Sequence, residues 1–166
     1  MSTAEKLTPV NPLLDKRLVS AFIESVKKTM TNMALTQCTA DTVFIENEKR
    51  AKGDVSGLVG MTAGSVKGNF IIAFEKGAIV RILENMLGET HAEVDRDVAD
   101  CVGELTNMIY GDAKTTLNQQ GFHFEAAIPS VIIGRHEIVS YHKGATLVVP
   151  FKCEGGGFFI EISVQV

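Results

Sequence analysis

The 166-residue sequence predicts an α/β (α+β) fold: a mixed, largely antiparallel sheet packed with long helices. Three observations lead there. The periodicity runs helix, strands, helix, long helix, strands, so helices do not alternate singly with strands as a doubly wound parallel sheet requires. Two β-branched apolar runs near the C-terminus flank Glu154-Gly155-Gly156-Gly157, a hairpin signal. The segment NFIIAF is a short continuous apolar run, the mark of a buried strand.

In chain order, residues 1–11 are polar, carry Pro9, and read as a flexible N-terminal arm. Residues 12–166 read as a single domain, long enough to bury a core without metals or disulfides. Pro12 suits the first turn of a helix, and Leu14, Leu18, Ala21, Phe22, Val26, Met30 and Met33 keep helical spacing over 13–33. Strands follow at 42–46, 54–62 and 69–74, with a turn over 63–68. A second helix covers 78–87 and stops at Gly88. The long helix spans 94–120, with Asp95 and Asp97 near its positive end and Gly121 as C-cap. Strands at 124–134, 138–141, 147–151 and 158–166 complete the chain. In the last one Phe158, Ile160, Ile162, Val164 and Val166 alternate with Phe159, Glu161, Ser163 and Gln165. That describes an ordinary half-buried strand of the sheet, or an edge that pairs with another chain.

Composition excludes several classes. With 16 basic and 20 acidic residues, and no basic cluster, neither a nucleic-acid backbone nor an anionic membrane is an expected partner. Cys38, Cys101 and Cys153 are too scattered for a disulfide framework or a zinc site. The N-terminus lacks signal-peptide features and no apolar run reaches the roughly 20 residues of a membrane span, so the expected compartment is the cytoplasm. His91, His123, His136 and His142 form no H-E-x-x-H motif, and no metal site is expected. Gly53, Gly57 and Gly60 match neither a Walker A loop nor a dinucleotide fingerprint; bulges or close packing on a helix explain them.

The long helix holds the candidate functional residues. At about 100° per residue, Val98, Val102, Leu105 and Ile109 form one apolar stripe. Asp100, Glu104, Asn107, Gly111 and Lys114 form a second, on roughly the opposite side. Glu104 and Asn107, at i and i+3, can act on one target. Gly103 and Gly111 frame the pair, each at a cost of about 1 kcal/mol relative to alanine. Such positions suit a surface that another backbone approaches closely. A solvated polar face with packing glycines explains the same pattern.

The segment Asp100-x3-Glu104-x2-Asn107 resembles the acidic-x3-Glu-x2-Asn signature of the CheC and CheX phosphatases of bacterial chemotaxis, and Pro129 stands where that family has a proline. Asn11-Pro12-Leu13, Phe22-Ile23-Glu24-Ser25, Met33 and Ala51-Lys52-Gly53-Asp54-Val55-Ser56-Gly57 extend the likeness over most of the chain. The first helix has Glu24 and Lys27 in place of a second E-x-x-N, which agrees with the single-site CheX type. The resemblance implies a CheC-like fold and a phosphatase that hydrolyses the aspartyl phosphate of a phosphorylated CheY-type response regulator. It implies that Asn107 orients the attacking water and that Glu104 pairs with the regulator's lysine. Asp100, Gly103, Gly111 and Lys114 would contact the partner. The divalent metal, Mg2+, would belong to the regulator and no cofactor to this chain. A homodimer formed through the sheets is also implied. The alternative is a non-catalytic module of the motor-switch kind that binds the regulator without hydrolysis.

Overall fold

A computed structural model describes residues 15–46, 52–137 and 145–165. The amphipathic pattern of the first helix is realised as α1 (Lys16–Asn32), capped by Asp15, whose carboxylate accepts from Arg17 N at 2.9 Å. Leu18, Phe22, Val26 and Met30 are buried along one face, while Met33, just past the helix end, is exposed. Two short strands follow, β1 (Cys38–Ala40) and β2 (Phe44–Glu46). The strand expected at 42–46 is realised as β2, two residues shorter at its start, while β1 is not expected from the sequence. A long hairpin, β3 (Val55–Ala63) and β4 (Val66–Phe74), turns on Gly64-Ser65 alone, so β3 is shifted by one residue from the expected 54–62 and β4 starts three residues earlier than expected. Then come α2 (Lys76–Leu87), stopped by left-handed Gly88, and α3 (Arg96–Gln119). Gly121 lies one residue beyond the C-cap position, at positive φ, where the N–H of Phe122 closes onto Leu117 O at 3.1 Å.

Only Ser130–Ile133 of the expected 124–134 strand pairs, as β5. Pro129 cannot donate to a ladder, and Asn118 takes both the N–H and the carbonyl of Phe124 for itself. The expected strand at 138–141 and the arm at 1–11 lie outside the described residues. The C-terminal hairpin is β6 (Thr146–Cys153) and β7 (Gly156–Gln165). All described pairings are antiparallel, in the order β1-β6-β7-β4-β3-β5, with β2 also on β6. β7 therefore sits inside the sheet between β4 and β6, which rules out its reading as an edge.

The helices pack on one sheet face. Val55, Val59 and Met61 of β3, Phe70, Ile72 and Phe74 of β4, and Phe158, Ile160, Ile162 and Val164 of β7 join the helical stripes in one apolar cluster. Phe22 stacks on Phe70 at 4.7 Å between centroids, and Phe151 on Phe158 at 4.9 Å. Gly57 is the exception in this row of large side chains. A Cβ there would lie 1.9 Å from Thr106 Oγ1, so α3 rests directly on the β3 backbone. Gly60, on the other face of the same strand, has no atom within 4 Å of its notional Cβ.

These two glycines separate close packing from mere strand propensity. Gly57→Ala is expected to cost about 1–3 kcal/mol through overpacking. Gly60→Ala is expected to leave stability unchanged or slightly raised, since only the unfolded chain is stiffened. Urea unfolding of both variants measures the difference.

Candidate functional site

The site grows from the placement of α3. Val98, Val102, Leu105 and Ile109 are fully buried, as their spacing requires. Ser25 of α1 donates to Ile109 O at 2.7 Å, and Thr106 donates to Val102 O at 2.6 Å within the helix. With that stripe fixed against β3 and α1, the helical repeat leaves Asp100, Glu104 and Asn107 exposed. Glu104 and Asn107 have no hydrogen-bond or ion-pair partner among the described residues. Asp100 faces Arg96 loosely, at 3.8 Å, one turn nearer the helix start.

Opposite the helix lies the segment 122–133. It is pinned from α3 itself: Tyr110 Oη donates to Glu125 O at 2.7 Å, and Asn118 brackets Phe124 at 2.8 and 3.0 Å. Glu125 N donates to Thr62 O at 2.9 Å, which ties the segment to the end of β3. Between helix and segment runs an open groove of about 800 Å³. Asp100, Gly103, Glu104 and Asn107 form one wall; Ile128, Pro129, Val131 and Ile133 form the other. At its floor a Cβ on Gly103 would meet Val131 Cγ2 at 3.4 Å, an ordinary contact, so that glycine widens the groove rather than relieving a clash.

Of the expected site residues, Asp100, Gly103, Glu104 and Asn107 come together. Gly111 and Lys114 continue the same helix but do not line the groove. Gly111 faces open space, and among the described residues no backbone outside its own helix approaches it. The apolar wall is what sequence reasoning missed. Its residues were assigned to a strand, whose alternation hides which of them leave the sheet. Pro129 was the available signal, since proline interrupts a strand.

Cys101 lies on the flank of α3. Burial, followed by the nearby negative charge of Glu104, pushes its thiol up to about 11, which keeps it protonated and non-nucleophilic. Glu89, His91 and Asp97 bring three possible ligand atoms within 4.8 Å of one another near the start of α3. Both ring nitrogens of His91 are already taken by carboxylates: Nδ1 meets Asp95 at 2.5 Å, and Nε2 meets Glu89 at 3.3 Å. An ion-paired histidine accounts for the cluster. Among the described residues no helix is long and apolar enough to cross a membrane.

The sequence profile of the family described as chemotaxis phosphatase CheX matches residues 55–152. The chain belongs to the CheX family. The match runs from β3 through α3 and the groove into β6. The chemotaxis protein CheX of Vibrio vulnificus is 36% identical, and its crystal structure superposes with a TM-score of 0.83, covering 89% of this chain and 99% of that one. The CheY-P phosphatase CheX of Thermotoga maritima is 24% identical over 123 residues, 74% of this chain and 79% of the relative. The CheX chain in the Borrelia burgdorferi CheX–CheY–BeF3–Mg2+ complex shares the fold, with a TM-score of 0.75 at 24% identity over 90% of this chain and 98% of that one. CheX membership places the chain among phosphatases, the enzyme class that the resemblance implied.

His91 and Asp95 set a pH window for the start of the CheX helix. The bond to Asp95, then that to Glu89, holds the His91 pKa above its usual 6.5. The His91 bond, then the Val98 N–H that Asp95 caps, holds the Asp95 carboxyl below its usual 3.8. The histidine's contribution is complete below 6.5 and is lost as pH rises through the raised value; the aspartate's is complete above 3.8 and is lost as pH falls through the lowered one. An NMR titration is expected to place His91 above 6.5 in the wild type and nearer 6.5 in Asp95→Asn.

Proposed function

We propose that the chain hydrolyses the aspartyl phosphate of a phosphorylated CheY-type response regulator, with Asn107 orienting the attacking water and Glu104 pairing with the regulator's active-site lysine. The observation that carries this reading is the pair itself. Two polar side chains without partners of their own among the described residues stand one turn apart on a rigid helix, at a groove that is open to solvent along its length rather than enclosed as a small-molecule pocket is. A water oxygen bonds to phosphorus, the phosphorus–oxygen bond to the aspartate breaks, the carboxylate leaves with the bonding pair, and the water proton passes to the released phosphate. An acyl phosphate already has a good leaving group, so the phosphatase has only to position water. The Asn107 amide offers an acceptor and donors for that water and does not change protonation state. The Mg2+ belongs to the regulator, and this chain contributes no cofactor. Glu104 fixes the docking register through charge. Asp100 and Gly103 extend the same wall; Gly111 and Lys114 meet the regulator further along the helix. A relative that is a CheY-P phosphatase, and a fold neighbour in complex with CheY, BeF3 and Mg2+, support the assignment of partner and reaction. The working compartment is then the cytoplasm, where such a regulator acts. The implied homodimer does not form by edge pairing of β7, which is interior to the sheet.

The test is the decay of a phosphorylated regulator. Wild-type protein is expected to accelerate phosphate release, and Asn107→Ala to lose at least about 100-fold of that acceleration with an unchanged unfolding midpoint, since alanine suits an exposed helical position. Full activity in Asn107→Ala would remove the mechanism. Glu104→Ala is expected to weaken binding of a phosphoryl-mimic-loaded regulator, measured by titration calorimetry. A regulator that binds without faster decay would instead mark a non-catalytic module.

A further inference from the structure

We infer that Ile128 and Ile133 form an apolar docking wall that seats the regulator beside the acyl phosphate and determines which regulator is accepted. The inference rests on the function proposed above and extends it from chemistry to recognition. Ile128 is 92% exposed, the most exposed large apolar side chain among the described residues, and Ile133 is 56% exposed beside it on one wall of the groove. Their exposure does not come from a loose loop. Hydrogen bonds from Tyr110, Asn118 and the end of β3 fix residues 124 and 125, Pro129 fixes the backbone beside Ile128, and β5 pairing to Val55 fixes Ile133. Ile128 thus stands on a short span anchored at both ends, by the bonds at 124–125 and by β5, with the fixed φ of Pro129 beside it.

The wall is continuous with the catalytic groove: Ile128 and Ile133 line the same space as Glu104 and Asn107. An occupant that brings a phosphoryl group and a lysine to the helix therefore lies against the isoleucines as well. Its surface beside the acyl phosphate must be apolar, whereas the surface facing α3 must offer positive charge to Glu104 and Asp100. Covering the two isoleucines also shields one flank of the groove from bulk water, so that the water held by Asn107 is the one that reacts. Buried apolar anchors next to polar groups that set the register are the arrangement that gives an interface both affinity and choice of partner.

The experiment compares steady-state phosphate release from a phosphorylated regulator by the wild type, Ile128→Ser/Ile133→Ser, Ile128→Leu/Ile133→Leu and Asn107→Ala. The serine pair is expected to raise KM about tenfold or more with kcat retained, the loss expected when two apolar side chains are no longer buried. The leucine pair is expected to keep the wild-type KM, and Asn107→Ala to show the opposite split, with kcat lost and KM retained. Circular dichroism is expected to show all four folded at the assay temperature, the serine pair with a modestly lowered unfolding midpoint because Ile133 is a partly covered strand residue. A wild-type KM in the serine pair overturns the wall. If light scattering shows that the serine pair changes oligomeric state while KM stays constant, the wall seats a second copy of this chain, and the inference is also overturned. A wild type that fails to speed decay refutes the phosphatase reading itself, a result separate from any change in KM among active variants.

Discussion

The contact of α3 with the sheet and with α1 governs the rest of the structure. Its apolar stripe, Val98, Val102, Leu105 and Ile109, is buried to completion, and the close approach at Gly57 sets how deeply the helix lies. Once those residues are inside, a period of 3.6 leaves no freedom about which residues are outside. The orientation of Glu104 and Asn107 follows from packing on the far side of the helix, and nothing near the two side chains has to hold them. The same helix anchors the opposite wall of the groove through Tyr110 and Asn118. Both walls therefore move with one rigid element, which suits the water-positioning role proposed for Asn107.

Such a placement task explains how little chemistry the chain carries. Cys101 is kept protonated by burial, and the histidine with raised pKa serves a helix start. The groove offers the Asp100 and Glu104 carboxylates, the Arg96 guanidinium and the Asn107 amide, and none of them must change charge during the proposed reaction. Most of the rate enhancement then has to come from geometry shared between two proteins.

Helices were the most legible part of the sequence. The spacing of Leu18, Phe22, Val26 and Met30, and of the α3 stripe, gives the buried faces directly, and Gly88 ends α2 where expected. The alternation in β7 gives its inward face, but its position inside the sheet depends on pairings distant in sequence, which periodicity does not encode. The overlong strand at 124–134 has a different cause. Asn118 competes for the backbone of Phe124, and a side chain on a neighbouring helix leaves no trace in the local pattern. The candidate site divides in the same way. Glu104, Asn107, Asp100 and Gly103 share one helical face and were legible together. Ile128 and Ile133 join them only through the fold. Gly111, read as a second close-approach position, faces open space among the described residues, because a helical repeat does not tell where a neighbouring element stops.

The bonds that hold residues 124 and 125 all end on main-chain atoms: the N–H and carbonyl of Phe124, and the N–H and carbonyl of Glu125. The fold thus fixes the path of this segment while leaving the side chains at 126 and 128 unconstrained by those bonds. Divergence among duplicated copies of such a gene can proceed there without loss of stability. In the proposed function, new pairings between phosphatase and regulator could arise by substitution on the apolar wall while the wall of Glu104 and Asn107, to which the chemistry is assigned, stays as it is. Wiring and catalysis are then separately heritable.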